Sequence, residues 1–249
     1  MQLDTTATVC AVRAHGEHGA IVRLMTREAG LVGGYVRGGH SRRLRPILQP
    51  GNRVAASLRA RTPAQLATLT TELVTSRAPL QEEPLLAAAI EWATTLTAAA
   101  LPEGQPYPAI ADALDALLDA IALAPAARTW AGALALYELG MLSALGFGLA
   151  LESCVATGRS DDLAWVSPAR AAAVSAEAAR GHEHRLLPLP RFLREEGAPD
   201  LADALAALRT TGFFIDARLF EGRRGGVMAV RERLIARLER AASPLASAG

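Results

Sequence analysis

The chain has 249 residues, half of them apolar, enough for one large domain or two modest ones with a real hydrophobic core. Its two cysteines, Cys10 and Cys154, make no disulfide framework and suit a reducing cytoplasm; the N-terminus lacks a cationic segment followed by an apolar core, and the apolar run at 132–151 is broken by Glu138 and glycines, which reads as a buried helix rather than a bilayer span. The net charge of +1 hides a split: residues 1–61 hold ten arginines against three acids, a net +7, whereas the rest hold sixteen arginines against twenty-two acids, a net −6.

In chain order, five β-like runs come first: residues 6–15, 19–27, 30–38, 52–61 and 68–76, rich in Val, Leu and Thr and separated by turn sequences such as HGEHG and REAG. In the second run Ile21, Arg23 and Met25 share one face and Val22 and Leu24 the other. Five short strands in so little chain suit a small closed barrel, because closure removes exposed edges. From Pro79 the period changes to three and four, and residues 84–104, 107–125 and 127–148 read as helices of an antiparallel bundle bounded by Pro or Gly. Residues 150–186 lose that period and read as a small strand-and-turn insertion. Helices then return at 189–197, 200–222 and 227–241. The last of these carries Arg231, Arg233, Arg237 and Arg240, follows Arg223 and Arg224, and interleaves Glu232 and Glu239 with a stripe of Val230, Leu234, Ile235 and Leu238. That is the pattern of an amphipathic helix with a solvated basic face. Trp92, Trp130, Phe213 and Phe214 fall in helical patterns as core residues.

The segment between the third and fourth strands, VRGGHSRRLRPILQPGNRV, has five arginines and no acid. Small five-stranded barrels commonly bind oligonucleotides or oligosaccharides across one face, and arginines neutralise phosphates and release condensed counterions. Arg37, Arg42, Arg43 and Arg45 cluster on one loop, where Gly38 and Gly39 allow close backbone approach, and Arg53, Arg59 and Arg61 extend the charge beside the next strand. The competing reading is a solvated loop. Tyr35 is the one Phe, Tyr or Trp before Trp92, and it reads either as a lone stacking platform or as a barrel-core residue. A module so poor in aromatics grips backbone rather than reading bases, tolerates single and double strands, and loses affinity steeply with salt.

The series AVRAHGEHGAIVRLMTREAGLVGGYVRGG followed by RPILQPGNRV resembles the OB-fold domain of the RecO family of bacterial recombination mediators. YELGMLSALGFGLALESCVATG, LAWVSP and RLLPLPRFL resemble that family's helical domain and its inserted subdomain. The resemblance implies an α+β protein: an OB barrel over residues 1–77, then a helical domain over 78–249 with a small zinc-ribbon-like insertion at about 150–186. It implies a cytoplasmic, non-enzymatic protein that binds single- and double-stranded DNA, anneals complementary strands, associates with RecR, contacts the single-strand-binding protein, and helps load RecA at gaps. The alternative is an adaptor whose barrel binds RNA or protein while the helical domain acts as a scaffold.

Two departures from the family pattern matter. Some members hold zinc with four cysteines in the insertion, whereas only Cys154 stands here, with Thr157 and Gly158 where a second thiolate belongs, so a zinc-free subdomain packed on Leu163, Trp165 and Val166 is expected. Basic residues that in some members precede an aromatic-Glu pair and help hold the acidic tail of the single-strand-binding protein are replaced by Ala135 and Leu136 before Tyr137 and Glu138, leaving Arg128 upstream as the substitute cation. His182, His184, Asp161 and Asp162 read as exposed loop residues rather than metal ligands, no GxSxG elbow or GxxxxGK[ST] phosphate loop is present, and neither a cofactor nor a catalytic residue is expected.

Overall fold

The computed structural model describes residues 2–62, 65–124, 126–221 and 226–243. They form two compact units, Met1–Leu123 and Ala124–Gly249. The strand-to-helix change falls near residue 77, but the first two helices belong to the same unit as the strands.

Five strands close the barrel: β1 (Gln2–His15), β2 (Gly19–Thr26), β3 (Gly30–Val36), β4 (Arg53–Arg59) and β5 (Ala67–Thr75). Their order is β1-β2-β3-β5-β4, antiparallel except for a short parallel pairing of β3 with β5, which is the OB-fold arrangement. Alternation puts Ala20, Val22 and Leu24 of β2, Val54, Ala56 and Leu58 of β4, and Ala67 and Leu69 of β5 into one core. The parallel closure is tight: a Cβ on Gly34 would lie 2.6 Å from the Leu69 Cβ, so the seam needs a residue without a side chain there. Cys10 sits at a bulge in the pairing of β1 with β2, which lets β1 turn from one neighbour to the other.

Two helices follow, α1 (Pro84–Ala100) and α2 (Pro108–Leu123), both opening with Pro in the first turn, where its missing N–H costs nothing. They cover part of the barrel's outside. Asp112, Asp115 and Asp119 recur at three- and four-residue steps along α2, and each carboxylate meets an arginine: Arg27 at 3.0 Å, Arg53 at 3.3 Å, and Arg77 respectively. Asp115 also accepts a 2.6 Å hydrogen bond from Thr8. In the α1–α2 connection Glu103 pairs with Arg23 at 3.0 Å, and the Gly104 amide donates to the Leu31 carbonyl.

The second unit contains α3 (Ala127–Ala144), a three-stranded sheet of β6 (Leu163–Ser167), β7 (Ala172–Ser175) and β8 (Leu187–Pro188), the single-turn α4 (Ala176–Ala179), and the long helices α5 (Leu201–Leu219) and α6 (Val227–Ala242). The run of helices read at 84–148 is thus divided: α1 and α2 pack on the barrel, and α3 packs on α5. The helix expected at 189–197 is one 3₁₀ turn, Arg191–Leu193, because Pro188, Pro190 and Pro199 remove donors around it; α5 starts only after Asp200 caps the Asp203 amide.

α6 differs from its expected pattern in one position. Arg231 lies on the buried row with Leu234 and Leu238, not on the solvated face. Its guanidinium makes a two-pronged pair with the fully buried Glu138 of α3, both bonds 2.9 Å, and donates to the Leu208 carbonyl, while the Thr211 hydroxyl also donates to Glu138. Gly212 leaves the space that this guanidinium fills. Arg223 and Arg224 lie outside the described residues. Trp92, Trp130 and Phe214 are core as expected, but Phe213 is 42% exposed, its ring meeting Phe214 edge-on.

Candidate nucleic-acid interface

The barrel register lines up one row of outward-facing residues. Arg13 of β1 is opposite Ile21, Ile21 is opposite Tyr35, Tyr35 is opposite Thr68, and Thr68 is opposite Arg59. Ile21 and Thr68 have core residues on both sides in sequence, and Arg13, Tyr35 and Arg59 each follow or precede one that packs on the core, so the cross-strand register turns all five to the outer face. Tyr35 is therefore a half-buried surface residue, not part of the barrel core. Its ring lies over Gly19, where any Cβ would collide with it, and meets His15 edge-on with centroids 5.9 Å apart. Tyr35 and Arg37 line an open groove of about 620 Å³ with His15, Glu17 and His18 from the β1–β2 turn and Leu66 and Thr68 from the β4–β5 side. In small barrels of this topology those two loops and the strands between them are where oligonucleotides lie.

Beyond Arg37 the chain turns through Gly38, at φ +69°, into a compact coil held by Ser41: its carbonyl accepts from the Leu44 and Arg45 amides at 3.1 and 2.9 Å. Leu44 and Ile47 pack partly, and Leu48 fully, against the barrel core. The buried Asn52 side chain then pins the coil by donating to the carbonyls of Pro46 and Ile47 and accepting from the Arg77 amide, all within 3.1 Å. Because the apolar residues of RRLRPIL plug the barrel, Arg42, Arg43 and Arg45 are left in water.

Of the arginines expected to contact phosphate, Arg37, Arg42, Arg43, Arg45, Arg59 and Arg61 are exposed, and no ion pair holds any of them among the described residues. Arg53 stands apart at the other end of β4, paired with Asp115. Arg13 joins the unpaired group, in the same row as Tyr35 and Arg59; alternation from Ala7 and Val9 would turn it inward, and the bulge at Cys10 reverses that phase, which a sequence does not show. The nearest compensation is Asp4, whose carboxyl is held below its ordinary value by hydrogen bonds from Ser57 and then Gln2, with Arg59 adding to the effect. Asp4 thus remains ionised beside Arg59.

The fold agrees with the sequence comparisons. Residues 1–77 match the family model for the recombination protein O N-terminal domain, and residues 81–225 match that for its C-terminal domain. The chain is 43% identical over 244 residues to the DNA repair protein RecO of Rhodospirillum centenum, covering 97% of this chain and 96% of that protein. It is 43% identical over 239 residues to the protein of the same name from Paracoccus denitrificans (96% of each chain), and 40% identical over 237 residues to that of Rhodospirillum rubrum, covering 93% and 94%. The chain belongs to the RecO family.

Two further places bear on how this RecO-family chain departs from the pattern. Cys154 is buried in the small insertion, its sulfur accepting from the Ser175 amide at 3.3 Å. Burial alone would raise its pKa, but the Ser175 and Thr157 hydroxyls and the amides of Ser175 and Ala156 all donate to sulfur and bring it down to about 6. The sulfur's donors are therefore protein groups. His182 and His184 are exposed, Asp161 is engaged by Arg159, and no group of three or more metal-ligating side chains occurs among the described residues. Cys10, by contrast, is pushed up to about 12, chiefly by burial.

On α3, Ala135 and Tyr137 are buried while Leu136 is 46% exposed. Leu136 lines a groove of about 670 Å³ with Leu139, Leu149, Leu151 and Leu193; its lining holds one cation, Arg194, and one carboxylate, Glu152, and Arg128 is exposed but outside it. No helix among the described residues is long and apolar enough to cross a membrane.

Proposed function

We propose that this chain is a non-catalytic, DNA-binding and strand-annealing mediator of gap repair. It acts in the cytoplasm on the nucleoid, with RecR and the single-strand-binding protein as partners and RecA loading as the outcome. The observation that carries this reading is the set of seven arginines, Arg13, Arg37, Arg42, Arg43, Arg45, Arg59 and Arg61, exposed on one small barrel and in no ion pair among the described residues. Unpaired cations of this density neutralise a polyanion and release its counterions, and by screening phosphate repulsion they let two complementary strands approach and pair. Annealing of that kind uses no nucleotide hydrolysis, bound metal or general base. The leucine-lined groove on α3 offers apolar surface to the tail of the single-strand-binding protein, with Arg194 as its one cation beside the carboxylate of Glu152.

The test is binding and annealing of complementary oligonucleotides by the full chain as a function of salt. The protein is expected to accelerate annealing at low salt. Arg42→Ala with Arg43→Ala is expected to flatten the slope of log K against log salt by about 1.5. A protein that ignores DNA in dilute buffer while binding RNA or a protein partner tightly would leave the adaptor reading instead.

A further inference from the structure

We propose that the groove beside Tyr35 holds one unpaired nucleobase, stacked on the Tyr35 ring, with the flanking phosphates at Arg37 and Arg59. This rests on the barrel being the DNA-binding module and adds a contact that discriminates single strands from duplex.

The geometry supplies three reasons. Tyr35 sits in the middle of the outer-face row, with the short Thr68 on one side, and its ring is seated on the bare backbone of Gly19. His15 meets the ring in a T-shaped contact, and Tyr35 lines the groove together with Arg37, Leu66 and Thr68. A flat apolar ring held on glycine and opening into a groove is a stacking surface for another flat ring.

The second reason is the charge layout. Arg37 follows Tyr35 at the end of β3, and Arg59 faces Thr68 at the end of β4, so cations stand on two sides of the ring. Glu17 lines the groove at the β1–β2 turn. A carboxylate repels phosphate but accepts hydrogen bonds from exocyclic amino groups, which puts the base, not the backbone, on that side.

The third reason is number. Tyr35 is the only Phe, Tyr or Trp in the first 91 residues, so the barrel holds one base at a time and leaves its neighbours free to pair. A duplex base, stacked above and below by its neighbours, presents no face to a ring lying on a sheet.

The experiment uses the full-length protein, a thymine oligonucleotide carrying one central 2-aminopurine, and a duplex of the same length. With wild type, 2-aminopurine fluorescence is expected to fall on binding. Tyr35→Ala and Tyr35→Leu are expected to abolish that fall and weaken single-strand binding by about 5- to 100-fold, with duplex binding unchanged. Tyr35→Phe keeps the ring and is expected to behave as wild type; Tyr35→Leu keeps apolar volume over Gly19, so its loss reports the π face rather than folding. Equal weakening toward both DNAs, or full single-strand affinity in Tyr35→Leu, would overturn the inference. If wild type binds neither DNA at low salt, it is the reading of the barrel as a DNA module that fails.

Discussion

The two sides of the barrel use the same residue for opposite ends. Where α1 and α2 cover the strands, Arg23, Arg27, Arg53 and Arg77 each meet a carboxylate, from Glu103, Asp112, Asp115 and Asp119 in turn. On the uncovered side seven arginines are in no ion pair among the described residues, the nearest carboxylate being that of Asp4 beside Arg59. Over Met1–Leu123 eleven arginines accompany eleven acids, so the unit has no net charge at all. Its basic character is a matter of placement: the acids of α2 are spent on one side, and the field of the other is left intact. An arginine in this unit is held in an ion pair where α2 or the α1–α2 connection brings it a carboxylate, and it stays available to a polyanion where none does.

The second unit holds the extreme case of a compensated arginine, and breaking it should have the largest effect. Glu138→Ala leaves the Arg231 guanidinium buried without its counter-charge, which typically costs about 3–5 kcal/mol. A large fall in the unfolding temperature of the second unit is expected in calorimetry. The salt slope of DNA binding should be unchanged, because no exposed cation is altered.

Next comes a comparison at constant charge. Arg37→Ala with Arg59→Ala, from the bare side, removes the same two charges as Arg27→Ala with Arg53→Ala, from the covered side. The first pair is expected to flatten the salt slope by about 1.5 and leave the unfolding temperature in place. The second is expected to leave the slope alone and cost about 0–1 kcal/mol for each exposed or half-exposed pair. Equal loss of DNA affinity from both would mean that net charge, not its placement, governs binding.

Much of the barrel is legible in the sequence because alternation and turn residues are local signals. β2, β3 and β5 fall within two residues of the runs read from the sequence, and Val22 and Leu24 face inward as their pattern demands. The excess of arginine before residue 62 is equally plain. What a single sequence does not show is which arginines are neutralised, since Arg53 and Asp115, or Arg77 and Asp119, are far apart in the chain and meet only through the docking of α2. The side on which Tyr35 falls was open for a related reason: with Gly33 and Gly34 before it, β3 has too few side chains there for its phase to be read. Arg231 looked solvated because its buried partner Glu138 lies 93 positions away.

The finest version of the contrast lies at Asp4, the acid beside Arg59 in the uncovered row. The hydrogen bonds from Ser57 and Gln2 hold its carboxyl below the ordinary carboxylate value, so it carries a full negative charge throughout the range from pH 5 to 8 and opposes any phosphate approaching Arg59. Asp4→Asn is nearly isosteric and removes that charge, exchanging one acceptor oxygen for an NH2, so DNA affinity should rise by about two- to threefold, the scale of one exposed charge interaction. The sign of the shift fixes the pH behaviour. A carboxyl with a lowered folded value is ionised well above it and protonates only as the pH falls through it, so the ratio of variant to wild-type affinity should be flat between pH 5 and 8. A ratio that shrinks toward 1 as pH falls across that interval would mean that Asp4 titrates there and is not held ionised by its two donors. Unchanged affinity at every pH would place the bound strand away from Arg59, and with it the row that runs from Arg13 through Tyr35.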